Sequence, residues 1–455
     1  MSSPAPRPAA LSLLLLALCA CGKPTPPPRP NLILITIDTL RQDHLSSYGY
    51  ARDTSPFLDS LAANGARFTR AYSTSSWTVP AVASLMTSLH PESHGVVSGA
   101  VSAGEVRGQQ ILSGGITRLP ELLQQAGYKT FGITANGHLT AELGYAQGFD
   151  RYENFGFGVK ADELNGTLAR WKDEIVASAP YFLWLHYFDP HAPYVPRAPW
   201  LAEYAPKGIK KPRRLIVNHA ASYLQMAVGR NPLELEYVVA LYDSEIAFTD
   251  RAIEQAVTML DPGSESLILV TSDHGEEFRD HGGFGHSSNL FEESVKIPLI
   301  VRLPRAAHAG RVVDEPTSLV DVGPGLLDYL GVEVPQRFQG SSFMPLVEGR
   351  RPDSPRAVLS SLSRDGWPET RAIVQDGWKY IRASFGSRHS RELLFHLDSD
   401  PAERENLAAD SRLERTELSG LLDERLARYA SDLEPEIHVA TDETLDELRS
   451  LGYLK

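Results

Sequence analysis

The chain has 455 residues, 42% of them hydrophobic, with 44 basic and 57 acidic side chains and a formal net charge of -13. This length supplies material for one large domain and a smaller one. The acidic balance excludes a surface built to bind nucleic acid, so no nucleic-acid partner is expected.

Residues 1–21 read as an export segment. Arg7 gives a weak positive start, and the apolar run from Leu11 to Ala20 is too short to span a bilayer. Leu18-Cys19-Ala20-Cys21-Gly22 resembles a bacterial lipobox, which implies lipidation of Cys21; a plain secretory signal cleaved nearby is the alternative. Residues 22–30 form a Pro-rich tether. The expected location is therefore the bacterial cell envelope, lipid-anchored to the membrane and facing the periplasm or the outer surface. Gly22 and Lys23 after Cys21, in place of Asp, favour the outer membrane. The two cysteines, Cys19 and Cys21, both lie in this segment, so the body that follows has no internal disulfide.

Leu32 to Ile37 is a continuous apolar run of the kind found in strands buried on both faces of a parallel sheet, and it ends in Asp38. A strand's C-terminal end is where open α/β sheets place ligands, although a lone Asp there also serves as a turn or cap residue. Thr54 to Ala62 with Gly65 reads as a helix and its stop. Next, a polar run closes at Thr78, and Val82, Leu85, Met86 and Leu89 follow at helical spacing behind Pro80. Proline suits a first helical turn, which predicts Thr78 at the N-cap beside free N–H groups and the positive end of the helix dipole. Thr78 could attack an anionic ester held there, or merely cap the helix.

Leu119 to Ala126 and Lys129 to Ile133 repeat a helix, turn and strand, followed by Asn136 and His138. Tyr181 to His186 is a second buried-strand run, and the prolines of Asp189-Pro190-His191-Ala192-Pro193 make a stiff loop that fixes the direction of His191. Residues 195–232 are poorly periodic and read as an insertion near the site mouth, and Glu234 to Leu260 is one long helix. Leu267 to Val270 lead into Asp273-His274-Gly275-Glu276, a carboxylate and an imidazole at a strand terminus, as metal coordination by oxygen and nitrogen requires.

These motifs together resemble the sulfatase family of the alkaline phosphatase superfamily. Ala83-Ser84-Leu85-Met86-Thr87-Ser88-Leu89-His90-Pro91 with His94-Gly95 matches the tail of its nucleophile motif, and Asn31 to Tyr50 matches its opening block. Asp189 to Tyr194, Asp273 to Leu299, and Trp378 to Ala408 extend the match over most of the chain, leaving residues 97–118 and 195–232 weakly matched. The resemblance implies an α/β sandwich with a mixed central sheet and a small C-terminal antiparallel sheet plus helix. It implies a catalytic domain over 31–350 and a C-terminal subdomain over 351–455. It further implies Asp38, Asp273, His274 and Thr78 around one divalent ion, calcium, manganese or zinc. His138, His191 and His286 become catalytic residues, and Asn136 and His186 substrate-binding ones, with His186 second to His191 as partner of the ester oxygen. Glu292 and Glu293 read as structural.

Four departures bear on the chemistry. Thr78 stands where the family has the Cys or Ser that matures to formylglycine, Val82 where it has Arg, and Asn136 where it has Lys. Thr39 replaces a second Asp, removing a carboxylate from the usual calcium shell. Threonine cannot form a geminal diol, so a covalent intermediate on Thr78 would be released by direct attack of water. A metal at Thr78 would lower the hydroxyl pKa and stabilise charge on the attacked group. Fewer cations suit a phosphodiester better than a dianion. The expected function is hydrolysis or transfer of phosphate esters, chiefly diesters, or sulfate esters, carried by a glycan, lipid or small molecule. The alternatives are a formylglycine-independent sulfuric ester hydrolase and a catalytically silent binding lipoprotein of this fold.

Overall fold

In the computed structural model the described residues are 29–446, apart from 100, 104–105, 208–231, 262, 365–366, 387–388, 432, 434–435 and 442–443. The expected leader with Cys21, tether residues 22–28 and most of the 195–232 insertion lie outside the described residues.

The three apolar runs form adjacent parallel strands, Tyr181–Tyr187, Leu32–Ile37 and Leu267–Ser272, each buried along its whole length. They sit in the middle of a nine-stranded sheet. From Leu32–Ile37, one side continues through Tyr181–Tyr187 and Lys129–Thr134 to Arg151–Asn154. The other side continues through Leu267–Ser272, Lys296–Arg302 and Ala66–Tyr72 to Arg311–Val313, with Thr317–Ser318 also on Ala66–Tyr72. Lys296–Arg302 is antiparallel to both its neighbours, which makes the sheet mixed.

Alternation along the strands feeds two cores. Ile33, Ile35, Leu183, Leu185, Ile268 and Val270 face the helices Ala161–Ala177 and Pro232–Leu260. Leu32, Leu34, Phe182, Trp184, Leu267 and Leu269 face the helices Thr78–Thr87, Leu119–Gln125 and Val322–Tyr329. The register sets Ile37 opposite both Tyr187 and Ser272, so the three strands end level. The same alternation carries Asp38, His186 and Asp273 to the face on which the Thr78 helix packs.

That helix begins one residue earlier than its proline suggests. Trp77 is the N-cap and Thr78 the first helical residue, and no side chain makes a capping hydrogen bond. Its far end is Ser88, left-handed at φ 53, a conformation glycine adopts at lower cost.

A four-stranded antiparallel sheet, Val358–Leu362, Glu369–Gln375, Trp378–Phe385 and His389–His396, carries the helix Arg412–Tyr429, as expected of the C-terminal part. Within the weakly matched residues 97–118 lie the strands Val101–Ala103 and Val106–Gln110, and Ile437–Val439 returns to pair with the latter.

Candidate active site

Four predicted metal residues converge at the C-terminal edge of the central strands. His274 Nε2 lies 3.1 Å from Thr78 Oγ1, 3.5 Å from Asp273 Oδ2 and 3.7 Å from Asp38 Oδ1. All four side chains are fully buried. Asp38 Oδ1 and Asp273 Oδ2 have no hydrogen-bond partner, an arrangement that costs several kcal/mol unless a cation compensates it. Bonds of about 2.1 Å to a shared ion would set ligand atoms roughly 3.0–3.4 Å apart, close to the spacing found. The donor set of two carboxylates, an imidazole and a hydroxyl therefore fits a divalent ion.

The electrostatics carry the same signature. Burial, and then the charge of Asp273, push the Asp38 carboxyl well above its ordinary range. Burial would raise Asp273 too, but His274, His186 and the Thr78 hydroxyl outweigh it and hold that carboxyl below its usual value. Two facing carboxylates thus titrate apart, as they do when they share a site.

Backbone geometry supports these groups. Thr39 has φ 56, unfavourable for a β-branched residue. Its N–H donates to Asp273 Oδ1 at 3.2 Å, and its carbonyl accepts from Tyr242 at 2.7 Å. The His274 ring is oriented by Nδ1–H, which donates to Gly275 O at 2.8 Å and leaves the Nε2 lone pair toward Thr78 and the carboxylates.

Two residues expected to meet substrate face inward instead. Asn136 donates from Nδ2 to Asp38 Oδ2 at 2.7 Å and accepts the His138 N–H at Oδ1, so both amide ends hold the protein's own groups. His186 stands behind Asp38, with Nε2 3.6 Å from Oδ2 and Nδ1 2.7 Å from Thr36 Oγ1, which also accepts from Trp184. Asp38, His186 and Asp273 by themselves form a cluster able to hold a metal. Burial lowers the His186 pKa to about 4, leaving its ring neutral near pH 7.

The other three predicted site histidines gather next to His274. The His286 ring centroid lies 4.6 Å from that of His274 and 4.9 Å from that of His191. Burial, with the neighbouring rings, brings His138 and His191 to about 3 and His286 well below 6.5, so all three are neutral near pH 7. Their partners set their tautomers. His191 Nδ1–H donates to Ala192 O at 2.5 Å, which makes its Nε2 an acceptor. Gln109 Nε2 donates to His138 Nδ1 at 2.6 Å, which makes its Nε2 a donor. His286 Nδ1 lies 2.9 Å from Glu276 Oε1, a carboxyl pushed up by burial and bonded at Oε2 by Tyr194 at 2.8 Å.

Sequence reasoning left out Glu276, although it closes the Asp-His-Gly motif. It left out Gln109 as well, because the short strand that carries it has no clear alternation.

The family model described as Sulfatase matches residues 30–332, and that of the N-sulphoglucosamine sulphohydrolase C-terminal region matches residues 280–432. The chain is 27% identical over 277 residues to the multifunctional alkaline phosphatase superfamily protein PehA of Trinickia caryophylli, an alignment covering 51% of this chain and 52% of that one. The chain spans about half the length of the curated relatives it matches. Its fold superposes with TM-score 0.74 and 20% identity on a protein solved with its substrate D-glucosamine-2-N,6-O-disulfate, covering 88% of this chain and 98% of that one. The phosphonate monoester hydrolase of Agrobacterium radiobacter superposes with TM-score 0.72 and 23% identity, covering 90% and 100%.

Proposed function

Because the chain belongs to the sulfatase family, we propose that it is a metal-dependent ester hydrolase or transferase in which the Thr78 hydroxyl attacks a phosphate ester, preferentially a diester. One observation carries this reading. Thr78, at the start of its helix, makes no capping hydrogen bond, and its oxygen instead sits 3.1 Å from His274 Nε2 among carboxylate oxygens without partners. A hydroxyl that only capped the helix would bond a backbone N–H.

A divalent ion held by Asp38, Asp273, His274 and Thr78 would supply positive charge to the attacked group and lower the pKa of the Thr78 hydroxyl. The nitrogen donor favours manganese or zinc over calcium. The histidines divide the proton work. His138 donates from Nε2 to a non-bridging oxygen of the ester. His286 protonates the departing alcohol oxygen from Nε2–H while the Glu276 carboxyl proton passes to its Nδ1, leaving a neutral ring and a Glu276 carboxylate. In this first step Thr78 Oγ1, its proton given up to solvent beforehand, bonds phosphorus as one phosphorus–alcohol bond breaks. In the second step water attacks phosphorus, the Thr78 Oγ1–phosphorus bond breaks to return the Thr78 oxyanion, and His191 Nε2 takes a proton from that water.

The balance of charge supports the diester. Asn136 is committed to Asp38, and the histidines lining the site are neutral, which suits a monoanion better than a dianion. Sulfate esters are the second reading, favoured by the sulfated substrate in one structural neighbour. Cys21 is the proposed lipid anchor, placing the enzyme on the outer side of a bacterial membrane. The test is steady-state turnover of bis(4-nitrophenyl) phosphate beside 4-nitrophenyl sulfate. Thr78→Ala abolishes diester turnover and Thr78→Ser keeps part of it. Diester turnover that survives Thr78→Ala overturns the assignment.

A further inference from the structure

His186 is the penultimate residue of the strand Tyr181–Tyr187, in register with Thr36 of the neighbouring strand, and its side chain is fully buried. Buried polar atoms are nearly always hydrogen-bonded. One ring nitrogen of His186 obeys this, since Nδ1 lies 2.7 Å from Thr36 Oγ1. The other does not. Among the described residues Nε2 has no hydrogen-bond partner, and it faces Asp38 Oδ2 at 3.6 Å. Two more buried atoms without partners, Asp38 Oδ1 and Asp273 Oδ2, belong to the same two carboxylates. One ligand atom from each of Asp38, His186 and Asp273 lies within 4.8 Å of the others.

The protein's own N–H donors reach only the far oxygen of each carboxylate. Asp38 Oδ2 accepts from Asn136 at 2.7 Å, and Asp273 Oδ1 accepts from the backbone of Thr39 at 3.2 Å and of His274 at 2.9 Å. Thr36 meanwhile suits the tautomer that a ligand needs. Its Oγ1 accepts from Trp184 Nε1 at 2.9 Å, and its own proton can turn to Leu185 O at 3.4 Å, which leaves a lone pair for His186 Nδ1–H. Nε2 then presents its lone pair to the carboxylates, a repulsive arrangement that a cation between them reverses. Metal-ligating histidines donate their other ring N–H in this way.

We propose that His186 Nε2 is a ligand of the divalent ion, bound together with the Asp38 and Asp273 carboxylates. The inference rests on the metal-dependent reading of the site given above. His186 is held by strand pairing on both sides, to Thr36 and to Thr134, so its nitrogen is fixed independently of the loop that carries His191. An imidazole here suits zinc or manganese and disfavours calcium, whose ligands are oxygens. His186 places the ion and takes no part in the bond changes at phosphorus.

Zinc added to crystals of the full chain and located by anomalous scattering tests this without requiring turnover. The expected result is an ion about 2.1 Å from His186 Nε2 that is also bonded to Asp38 and Asp273. Zinc on Asp38, Asp273, His274 and Thr78 with His186 Nε2 more than about 3 Å away overturns the inference, as does a cluster that takes up no zinc. In solution, competition with a chromophoric chelator reads the affinity for zinc. His186→Asn, whose amide keeps a donor for Thr36, loses at least about tenfold while staying folded by circular dichroism, and a smaller loss overturns the inference. Turnover of bis(4-nitrophenyl) phosphate is measured on the same preparations. Zinc on His186 in a protein that turns over no ester supports the ligand and sinks the Thr78 reading. Turnover abolished by Thr78→Ala, with zinc away from His186, does the reverse.

Discussion

Lys379 is fully buried on the C-terminal sheet, with Nζ 2.9 Å from Glu292 Oε1 and 3.0 Å from Glu403 Oε1. Glu292 begins the short helix leading into the strand Lys296–Arg302, so this triad ties the C-terminal sheet to the central one. Lys379→Met keeps most of the stem's packing but leaves two buried carboxylates facing each other. Removing one partner of a buried ion pair typically costs about 3–5 kcal/mol. Two features place the loss near the lower bound. Lys296 still reaches Glu292 at 3.3 Å, and the Glu403 carboxyl, pushed up by burial to about 7, can take a proton. The expected loss is therefore about 3 kcal/mol, read from urea unfolding followed by tryptophan fluorescence. Adding Glu403→Gln to Lys379→Met removes one of the stranded charges and should recover at least about 1 kcal/mol. A loss under about 1 kcal/mol in the single variant, or no recovery in the double, would refute the triad as the tie between the sheets.

Glu403 also sets a pH dependence. Burial pushes its carboxyl from the ordinary 4.5 up to about 7, so the folded state holds the extra proton, and its stabilising contribution, complete below pH 4.5, declines as pH rises to about 7. Glu403→Gln flattens the stability profile in that window, and an unchanged slope contradicts the assignment. Ser88→Gly relieves the left-handed backbone at φ 53 and raises stability by up to about 1 kcal/mol in thermal or urea unfolding, while a loss would mean that the buried Ser88 side chain matters more than the strain. Protein purified without chelator carries one manganese or zinc ion by elemental analysis, and Asp273→Asn loses it while staying folded by circular dichroism. Full metal content in that variant would remove Asp273 from the ligand set.

The parts of the fold readable in the sequence were those with strong local patterns. Leu32–Ile37, Tyr181–Tyr187 and Leu267–Ser272 are continuous apolar runs because both sheet faces are covered, and each ends beside a site residue. Helix spacing after Thr78 was equally plain, but Pro80 proved to be the third helical residue, so the start fell one residue from the expected position. Long-range pairings were opaque. Nothing local in Ile437–Val439 indicates that it joins Val106–Gln110, the strand whose Gln109 sets the tautomer of His138. The motif positions of Asn136 and His186 imply contact with substrate, but residue type and motif position cannot report direction. The strand register turns His186 behind Asp38, and Asn136, two residues past the strand Lys129–Thr134, is held there by its bond to Asp38. Glu276 escaped notice because its chemistry depends on His286, ten residues further along the chain.

The central claim is that Thr78 carries the covalent intermediate. Protein reacted with bis(4-nitrophenyl) phosphate and quenched in acid, then digested and examined by tandem mass spectrometry, reports this directly. Attack by Thr78 predicts a 4-nitrophenyl phosphoryl group on the Thr78 hydroxyl, absent in Thr78→Ala. It should accumulate further in His191→Ala, which lacks the acceptor for the proton of the attacking water. Turnover by the parent with no adduct on Thr78 under any quench, or an adduct on another residue that persists in Thr78→Ala, would contradict the assignment.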